Sequence, residues 1–236
     1  MTSDACPPHS NPPFRLIDET QEFVLVNKSP DIGFHREQDA AGLFELVKQQ
    51  LQYQELYPVH RLDKVTSGLL LFARNRATAQ DLGEQFANHR IEKYYLALGL
   101  GKPSKKQGTI KGDMVKARRG AWKLTRTLDH PAITQFRSFG TSSGIRVFLV
   151  KPATGKTHQI RVALKSLGTP IIGDQLYGGE AADRVYLHAF GLRFHIENKP
   201  YEYLCPPNFG SVFQMPSIET LIHDQLTPPW QLDFPQ

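Results

Sequence analysis

An uninterrupted apolar run at residues 69–73, Leu-Leu-Leu-Phe-Ala, constrains the fold of this chain more than any other feature. A short apolar run that follows a turn signal is typical of a buried β-strand. The turn signal here is Thr66-Ser67-Gly68, which directly precedes the run. We therefore predict a buried strand that is entered through a turn at residues 66–68.

The loop ahead of this strand is unusually rich in ionisable groups, since His60, Arg61, Asp63 and Lys64 occupy four of five positions. A loop held against a rigid buried element is a common place for reactive side chains. The alternative is structural, with Asp63 capping the turn and Arg61 paired to it. Taken alone, the loop favours the structural interpretation, because short motifs produce many false matches.

The composition is that of an ordinary globular protein. Hydrophobic residues make up 40% of the 236 residues and charged residues 22%, enough to bury a substantial core. No apolar run is long enough to span a bilayer, and the first residues do not form a secretory signal. Cys6 and Cys205 provide neither a disulfide framework nor metal-ligand spacing. We expect a cytoplasmic protein that holds no metal or other cofactor.

Hydrophobic periodicity predicts helices and strands on both sides of the buried run. Helices are expected at 41–53 and 76–89, and Thr157 is expected to cap a third helix that runs to Leu167. A short helix is expected near 218–223. Strands are expected at 14–17, 22–28, 91–99, 133–139, 145–150 and 185–194. Residues 1–13, with four prolines, are expected to form a mobile leader.

Positive charge is concentrated in residues 102–126, which contain nine Lys or Arg and one acid, a net charge of +8 in a chain whose total is +5. This segment is expected to form hairpin strands and loops. Clustered basic residues are the electrostatic pattern of a nucleic-acid contact, although a merely solvated loop is the alternative. The RNA-contact candidates are Lys105, Lys106, Arg118 and Arg119.

Two long motifs give the chain a family resemblance. His-Arg-Leu-Asp-x-x-Thr-Ser-Gly at 60–68, followed by the apolar run, resembles the catalytic motif of RluA-type pseudouridine synthases. Thr-Gly-Lys-Thr-His-Gln-Ile-Arg-Val at 154–162, together with residues 167–178, resembles a second motif of the same family. Because both are long and in the right order, the chain is identified as a member, with the resemblance covering roughly residues 14–205.

The resemblance implies a fold and a partner. The expected fold is α/β, of the α+β type, with a mixed and mostly antiparallel central sheet, flanking helices and a central cleft. The catalytic domain is expected at 14–205, with residues 206–236 as an extension packed on it or trailing from it. The leader is too short for the RNA-binding module that many relatives carry. The implied partner is ribosomal or transfer RNA, bound by a monomer without an obligate protein partner or a cofactor.

The resemblance also implies roles for particular residues. Asp63 corresponds to the catalytic carboxylate and Arg161 to the arginine that partners it. Tyr95, in a Lys-x-Tyr-x-Ala motif, is expected to contact the uracil, while Tyr94 faces the other side of its strand. Arg61 is expected to fill the space that the target base leaves when it flips out of the RNA. Four further residues are expected to shape the pocket or touch phosphate, namely His60, Thr66, Lys156 and His158.

Three functions remain open from the sequence. The first is an RNA uridine isomerase. The second is a base-releasing glycosidase, since an Asp beside an anomeric carbon suits both reactions and only release of free uracil separates them. The third is an RNA-binding protein without activity, which the intact set of Asp63, Tyr95 and Arg161 argues against.

Overall fold

The computed structural model describes residues 12–36 and 41–235 of the chain. Most of the leader expected at 1–13 lies outside the described residues. The carbonyl of Pro12 accepts a hydrogen bond from the hydroxyl of Ser29, and the carbonyl of Pro13 accepts one from the Ser29 amide. Within these ranges, no helix is both long and apolar enough to cross a membrane.

Four α-helices occur in the described part of the chain, at the places that the periodicity predicts. They are α1 (Leu43–Gln50), α2 (Arg76–Ala87), α3 (Gln159–Ser166) and α4 (Pro216–Leu226). Three short 3-10 turns lie at Arg118–Gly120, Gln175–Tyr177 and Pro229–Gln231. Helix α2 begins where the side chain of Asn75 accepts a hydrogen bond from the amide of Thr78, the usual way in which a cap satisfies an exposed helix end.

The strands include every one that the sequence predicts and two short ones that it does not, β3 and β12. They are β1 (Phe14–Glu19), β2 (Phe23–Lys28), β3 (Tyr57–Pro58), β4 (Ser67–Ala73), β5 (Glu92–Leu100), β6 (Gln107–Gly112), β7 (Met114–Lys116), β8 (Trp122–Leu124), β9 (Ala132–Gly140), β10 (Ile145–Pro152), β11 (Leu187–Ile196) and β12 (Lys199–Leu204).

One large sheet organises the molecule, with the strand order β1-β2-β4-β11-β5-β10-β9-β6. Strand β3 adds to β4, and β12 adds to β11. Strands β4 and β11 run parallel, whereas the other paired strands of the sheet are antiparallel. The predicted mixed, mostly antiparallel sheet with flanking helices is therefore confirmed. Strands β7 and β8 form a separate hairpin.

The predicted turn at 66–68 is wrong by a few residues, because Gly68 lies in a strand where two backbones pack closely. The chain turns earlier, where the amide of Thr66 donates to the carbonyl of Asp63, and Ser67 and Gly68 already belong to β4. A β-carbon at Gly68 would lie 2.3 Å from the carbonyl oxygen of Ala189 on β11, and the backbone there has a φ of +107°. Gly68 is needed for the close approach of two central strands and not for a turn.

The predicted cap of the third helix is also wrong. Helix α3 begins one residue later, after His158, which adopts a left-handed backbone with a φ of 58° and makes no side-chain cap. Thr157 is exposed. The side chain of Gln159 instead folds back and accepts from the amide of Lys156, and it is anchored by hydrogen bonds to β9.

The last thirty residues pack on the same core as the rest of the chain. Ile218 and Leu226 of α4 are fully buried in the hydrophobic core. Near the end of the chain, the carbonyl of Pro235 accepts from the side chains of Thr109 on β6 and Gln135 on β9. This segment therefore crosses one face of the sheet.

Candidate active site

The charged loop ahead of β4 forms one wall of a cavity of about 410 Å³, a volume within the range of ligand sites. The chain between β10 and α3 forms the facing wall, and β5 and β11 contribute side chains between them. All eight residues predicted for catalysis and substrate binding line this cavity: Asp63, Tyr95, Arg161, Arg61, His60, Thr66, Lys156 and His158. The structure thus brings together residues that are about a hundred positions apart.

Asp63 faces Arg161 across the cavity. The distance from Arg161 Nη1 to Asp63 Oδ2 is 3.8 Å, and the Asp63 side chain is 20% exposed whereas that of Arg161 is 6% exposed. Arg161 is held from behind by Asp174, which accepts from Nε at 2.7 Å and from Nη2 at 2.8 Å. Burial opposes the charge of Arg161, but the hydrogen bonds and charge of Asp174, and the charge of Asp63, raise its pKa. A fixed guanidinium therefore stands beside an accessible carboxylate.

Tyr95 lies on β5 and is 9% exposed in the cavity. Burial raises the pKa of its phenol, and the charge of Asp63 adds to the effect, so the hydroxyl keeps its proton at neutral pH. Tyr94 packs on the opposite face of the strand against Trp230 and Phe234. The predicted alternation of the two tyrosines is confirmed.

His60 connects the charged loop to β4. Its Nε2 accepts a hydrogen bond from the amide of Leu71 at 3.0 Å, and its ring stacks on Phe86. Burial lowers the pKa of His60 to about 3, so the imidazole is neutral. These contacts favour a pocket-shaping role over contact with phosphate. Arg61 and Lys156, by contrast, are exposed at the cavity.

His158 is linked to the basic segment through Tyr177. The hydroxyl of Tyr177 lies 2.8 Å from His158 Nδ1 and accepts a hydrogen bond from the amide of Trp122 on β8 at 3.0 Å. The guanidinium carbon of Arg161 lies 4.9 Å from the centre of the Tyr177 ring. Burial lowers the pKa of His158; the charges of Asp63 and Asp174 oppose this effect, and those of Arg161 and Arg61 add to it.

Three residues of the site were missed by the sequence interpretation. Lys93 lines the cavity, and its position two residues before Tyr95 was a usable signal, because side chains two apart share a face of a strand. Lys28 is fully buried beneath the charged loop and donates to the carbonyls of Lys64 and Thr66. Tyr177 lies within the second family motif at 167–178, but nothing in the sequence around Lys28 or Tyr177 indicates these contacts.

The four RNA-contact candidates are exposed and fall in two places along the chain. Lys105 and Lys106 precede β6, whereas Arg118 and Arg119 lie in the turn between β7 and β8. The six residues of β6, which lie between the two pairs in sequence, span roughly 20 Å at about 3.4 Å per residue. Arg118 and Arg119 are the pair linked to the cavity, because the amide of Trp122 on β8 donates to the hydroxyl of Tyr177.

Comparison with known proteins agrees with the geometry. Residues 22–166 match the sequence model of the family described as RNA pseudouridylate synthase. That match covers more than half of the chain and includes both the charged loop and Arg161. The chain belongs to this family. It is an RluA-type RNA pseudouridine synthase, an isomerase.

Relatives of this synthase support the assignment. It is 48% identical over 217 residues to an uncharacterized RNA pseudouridine synthase of Haemophilus influenzae, with 91% of this chain and 97% of the relative covered. It is 37% identical over 188 residues to ribosomal large subunit pseudouridine synthase C of Rickettsia bellii, with 74% and 61% covered. The synthase therefore spans less than two thirds of the second relative.

Among solved structures, human RNA pseudouridylate synthase domain containing 1 is similar to this synthase, with a TM-score of 0.72 and 27% identity. The similarity covers 90% of this chain and 89% of the human chain. Human RNA pseudouridylate synthase domain containing 4 has the same fold, with a TM-score of 0.68. The pseudouridine synthase fold is thus shared over nearly the whole chain.

Proposed function

We propose that this synthase isomerises particular uridines of ribosomal or transfer RNA, with Asp63 as the catalytic carboxylate. The proposal is carried by one observation: Asp63 is partly exposed in the cavity, 3.8 Å from a guanidinium that Asp174 holds in place. Among the relatives, the protein of Rickettsia bellii is named for the large ribosomal subunit, which favours ribosomal RNA as the target.

The reaction places clear demands on such a carboxylate. The bond between the anomeric carbon of ribose and a ring nitrogen of uracil breaks, and a bond from the same anomeric carbon to a ring carbon forms. A proton moves from that ring carbon to the nitrogen, so the product is an isomer of the substrate. Asp63 can attack the anomeric carbon or remove a proton to promote elimination of the base, and both routes require its ionised form. The guanidinium of Arg161 lies 3.8 Å from this carboxylate.

The other cavity residues are assigned supporting roles. Tyr95, with its proton retained, contacts the uracil and takes part in the proton movement. Arg61, exposed at the rim, fills the gap that the flipped nucleotide leaves in the RNA. Lys156 and His158 contact the substrate, while His60 and Thr66 shape the pocket. Every step is assigned to protein side chains, without a cofactor.

The decisive experiment maps pseudouridines in cellular RNA with and without the gene. Each site lost in the deletion strain should return with the wild-type gene and not with Asp63→Asn, a change that keeps the size of the side chain but removes its charge. Thermal unfolding of the purified variant checks that it folds. A site that returns with Asp63→Asn would refute the catalytic assignment.

The same assay separates the alternative functions. A glycosidase would release free uracil from RNA, whereas an isomerase retains the base. A binding protein without activity would leave the pseudouridine map unchanged when the gene is deleted. We further propose that the synthase acts as a monomer in the cytoplasm. Mass measurement in solution tests the oligomeric state, and cell fractionation tests the location.

A further inference from the structure

Tyr177 is a buried tyrosine whose hydroxyl is fully used inside the protein. The residue is 2% exposed and ends the 3-10 turn that Asp174 directly precedes. Its oxygen accepts the hydrogen bond of the Trp122 amide, which can only donate. The hydroxyl proton is therefore directed to the other partner, Nδ1 of His158, at 2.8 Å.

This arrangement determines the protonation of His158. Because Nδ1 accepts the Tyr177 proton, the imidazole is neutral and carries its own proton on Nε2. Burial lowers the pKa of His158 on balance, although the charges of Asp63 and Asp174 oppose the effect, and this direction agrees with the assignment. His158 therefore presents a hydrogen-bond donor, and not an acceptor, through its second nitrogen.

The ring of Tyr177 makes a separate contact, with the guanidinium of Arg161. The guanidinium carbon of Arg161 lies 4.9 Å from the ring centre, within the range of a cation–π contact. Asp174 occupies Nε and Nη2 of the same guanidinium. With one edge held by Asp174 and one face by Tyr177, Nη1 remains directed to Asp63.

We propose that Tyr177 is a positioning residue for the reaction: its hydroxyl fixes the tautomer of His158 beside the guanidinium that faces Asp63. Through the Trp122 amide, the same hydroxyl anchors β8 to the active site. The inference rests on the proposed function only in taking Asp63 and Arg161 as the catalytic pair. The tautomer of His158 is a property of the protein without RNA, so it can be measured independently of the reaction.

The test compares Tyr177→Phe with Tyr57→Phe. The first change keeps the ring and removes the hydroxyl, and the second removes a surface hydroxyl that contacts Glu55. With a substrate RNA at saturation, Tyr177→Phe should lower the single-turnover rate about tenfold, since small losses of positioning are costly. RNA affinity should stay within about twofold, and Tyr57→Phe should match the wild type.

A second measurement does not depend on activity. NMR titration of histidine-labelled protein, with the His158 signal assigned from a His158→Gln variant, should show the pKa of His158 rising in Tyr177→Phe, because the neutral ring loses its donor. In the wild type, the ring nitrogen shifts of His158 should show a neutral imidazole protonated on Nε2, and a proton on Nδ1 would overturn the inference, so this measurement serves if Tyr177→Phe does not fold.

The outcomes are distinct. An unchanged rate together with an unchanged His158 titration in Tyr177→Phe would overturn the inference and leave Tyr177 as a packed aromatic residue. If the wild-type protein forms no pseudouridine, the proposed function fails, but the titration of His158 still decides whether Tyr177 fixes its tautomer.

Discussion

Lys28 is a charged residue with no exposed surface, at the end of β2. Its Nζ donates to the carbonyls of Ser29 at 2.8 Å, Lys64 at 2.9 Å and Thr66 at 2.7 Å. Two of these carbonyls, those of Lys64 and Thr66, follow Asp63 closely in sequence, so one amino group holds the turn that comes directly after the carboxylate. Burial lowers the pKa of Lys28 from 10.5 to about 7.

This pKa predicts how stability depends on pH. Between pH 7 and pH 10.5, the unfolded chain keeps the Lys28 proton and the folded chain has lost it, so the free energy of unfolding rises with pH. Below pH 7 both states are protonated, and the cost of the buried charge is fully present. The slope from this one group is at most about 1.4 kcal/mol per pH unit.

Urea denaturation of the wild type and of Lys28→Met between pH 7 and pH 10 measures this contribution. The difference in the free energy of unfolding, wild type minus variant, should increase with pH. This trend is expected even if the substitution also lowers stability by a constant amount at every pH. Parallel curves would mean that Lys28 has the same pKa in both states.

At the scale of elements, the β7–β8 hairpin links one part of the basic segment to the cavity. Arg118 and Arg119 lie in its turn, and the Trp122 amide connects the hairpin to Tyr177 beside the cavity. Lys105 and Lys106 lie before β6, where the backbone of Ser104 is tied to the end of α3. A charge count along the sequence does not distinguish these two pairs.

We therefore expect unequal effects of charge reversal. Arg118→Glu with Arg119→Glu should weaken RNA binding and reduce the slope of log affinity against log salt concentration by about 2, if both arginines meet phosphates. Lys105→Glu with Lys106→Glu changes the net charge by the same amount and is the matched control, with a smaller effect. Filter binding over a range of salt concentrations measures both, and equal effects would argue against a specific role of the hairpin.

At the scale of the whole molecule, the C-terminal segment stabilises the sheet from the side opposite the cavity. Trp230 and Phe234 pack on Tyr94, the residue whose neighbour Tyr95 lines the active site. Arg137 on β9 donates to the carbonyl of Asp233. The segment thus supports β5 from behind without contributing a side chain to the cavity.

Removal of these aromatic contacts should lower stability and spare the chemistry. Trp230→Ala combined with Phe234→Ala should reduce the free energy of unfolding by about 2–4 kcal/mol, from the lost apolar burial. Leu128→Ala, at a side chain that is 60% exposed, should change it by less than about 0.5 kcal/mol. The rate per folded molecule, measured well below the unfolding temperature, should match the wild type, and a selective loss of rate would place the segment in the active site.

The sequence by itself determined much of this protein. The apolar run predicted a buried strand, and all seven residues of β4 are buried. Period-two and helical patterns located the strands and helices to within a few residues, because each pattern reports which faces of an element meet the core. Two long motifs in the right order identified the family, and the residues taken from them all line one cavity.

Only the tertiary structure decided how those residues are held. Gly68 resembled a turn glycine, although it serves the close approach of β4 to β11. The contacts that Lys28 makes with Lys64 and Thr66, and that Tyr177 makes with Trp122 and His158, could not be predicted, because these partners lie between 19 and 55 residues away in sequence. Local patterns record the burial of a residue's own element, whereas contacts between elements depend on the strand order, which periodicity does not encode.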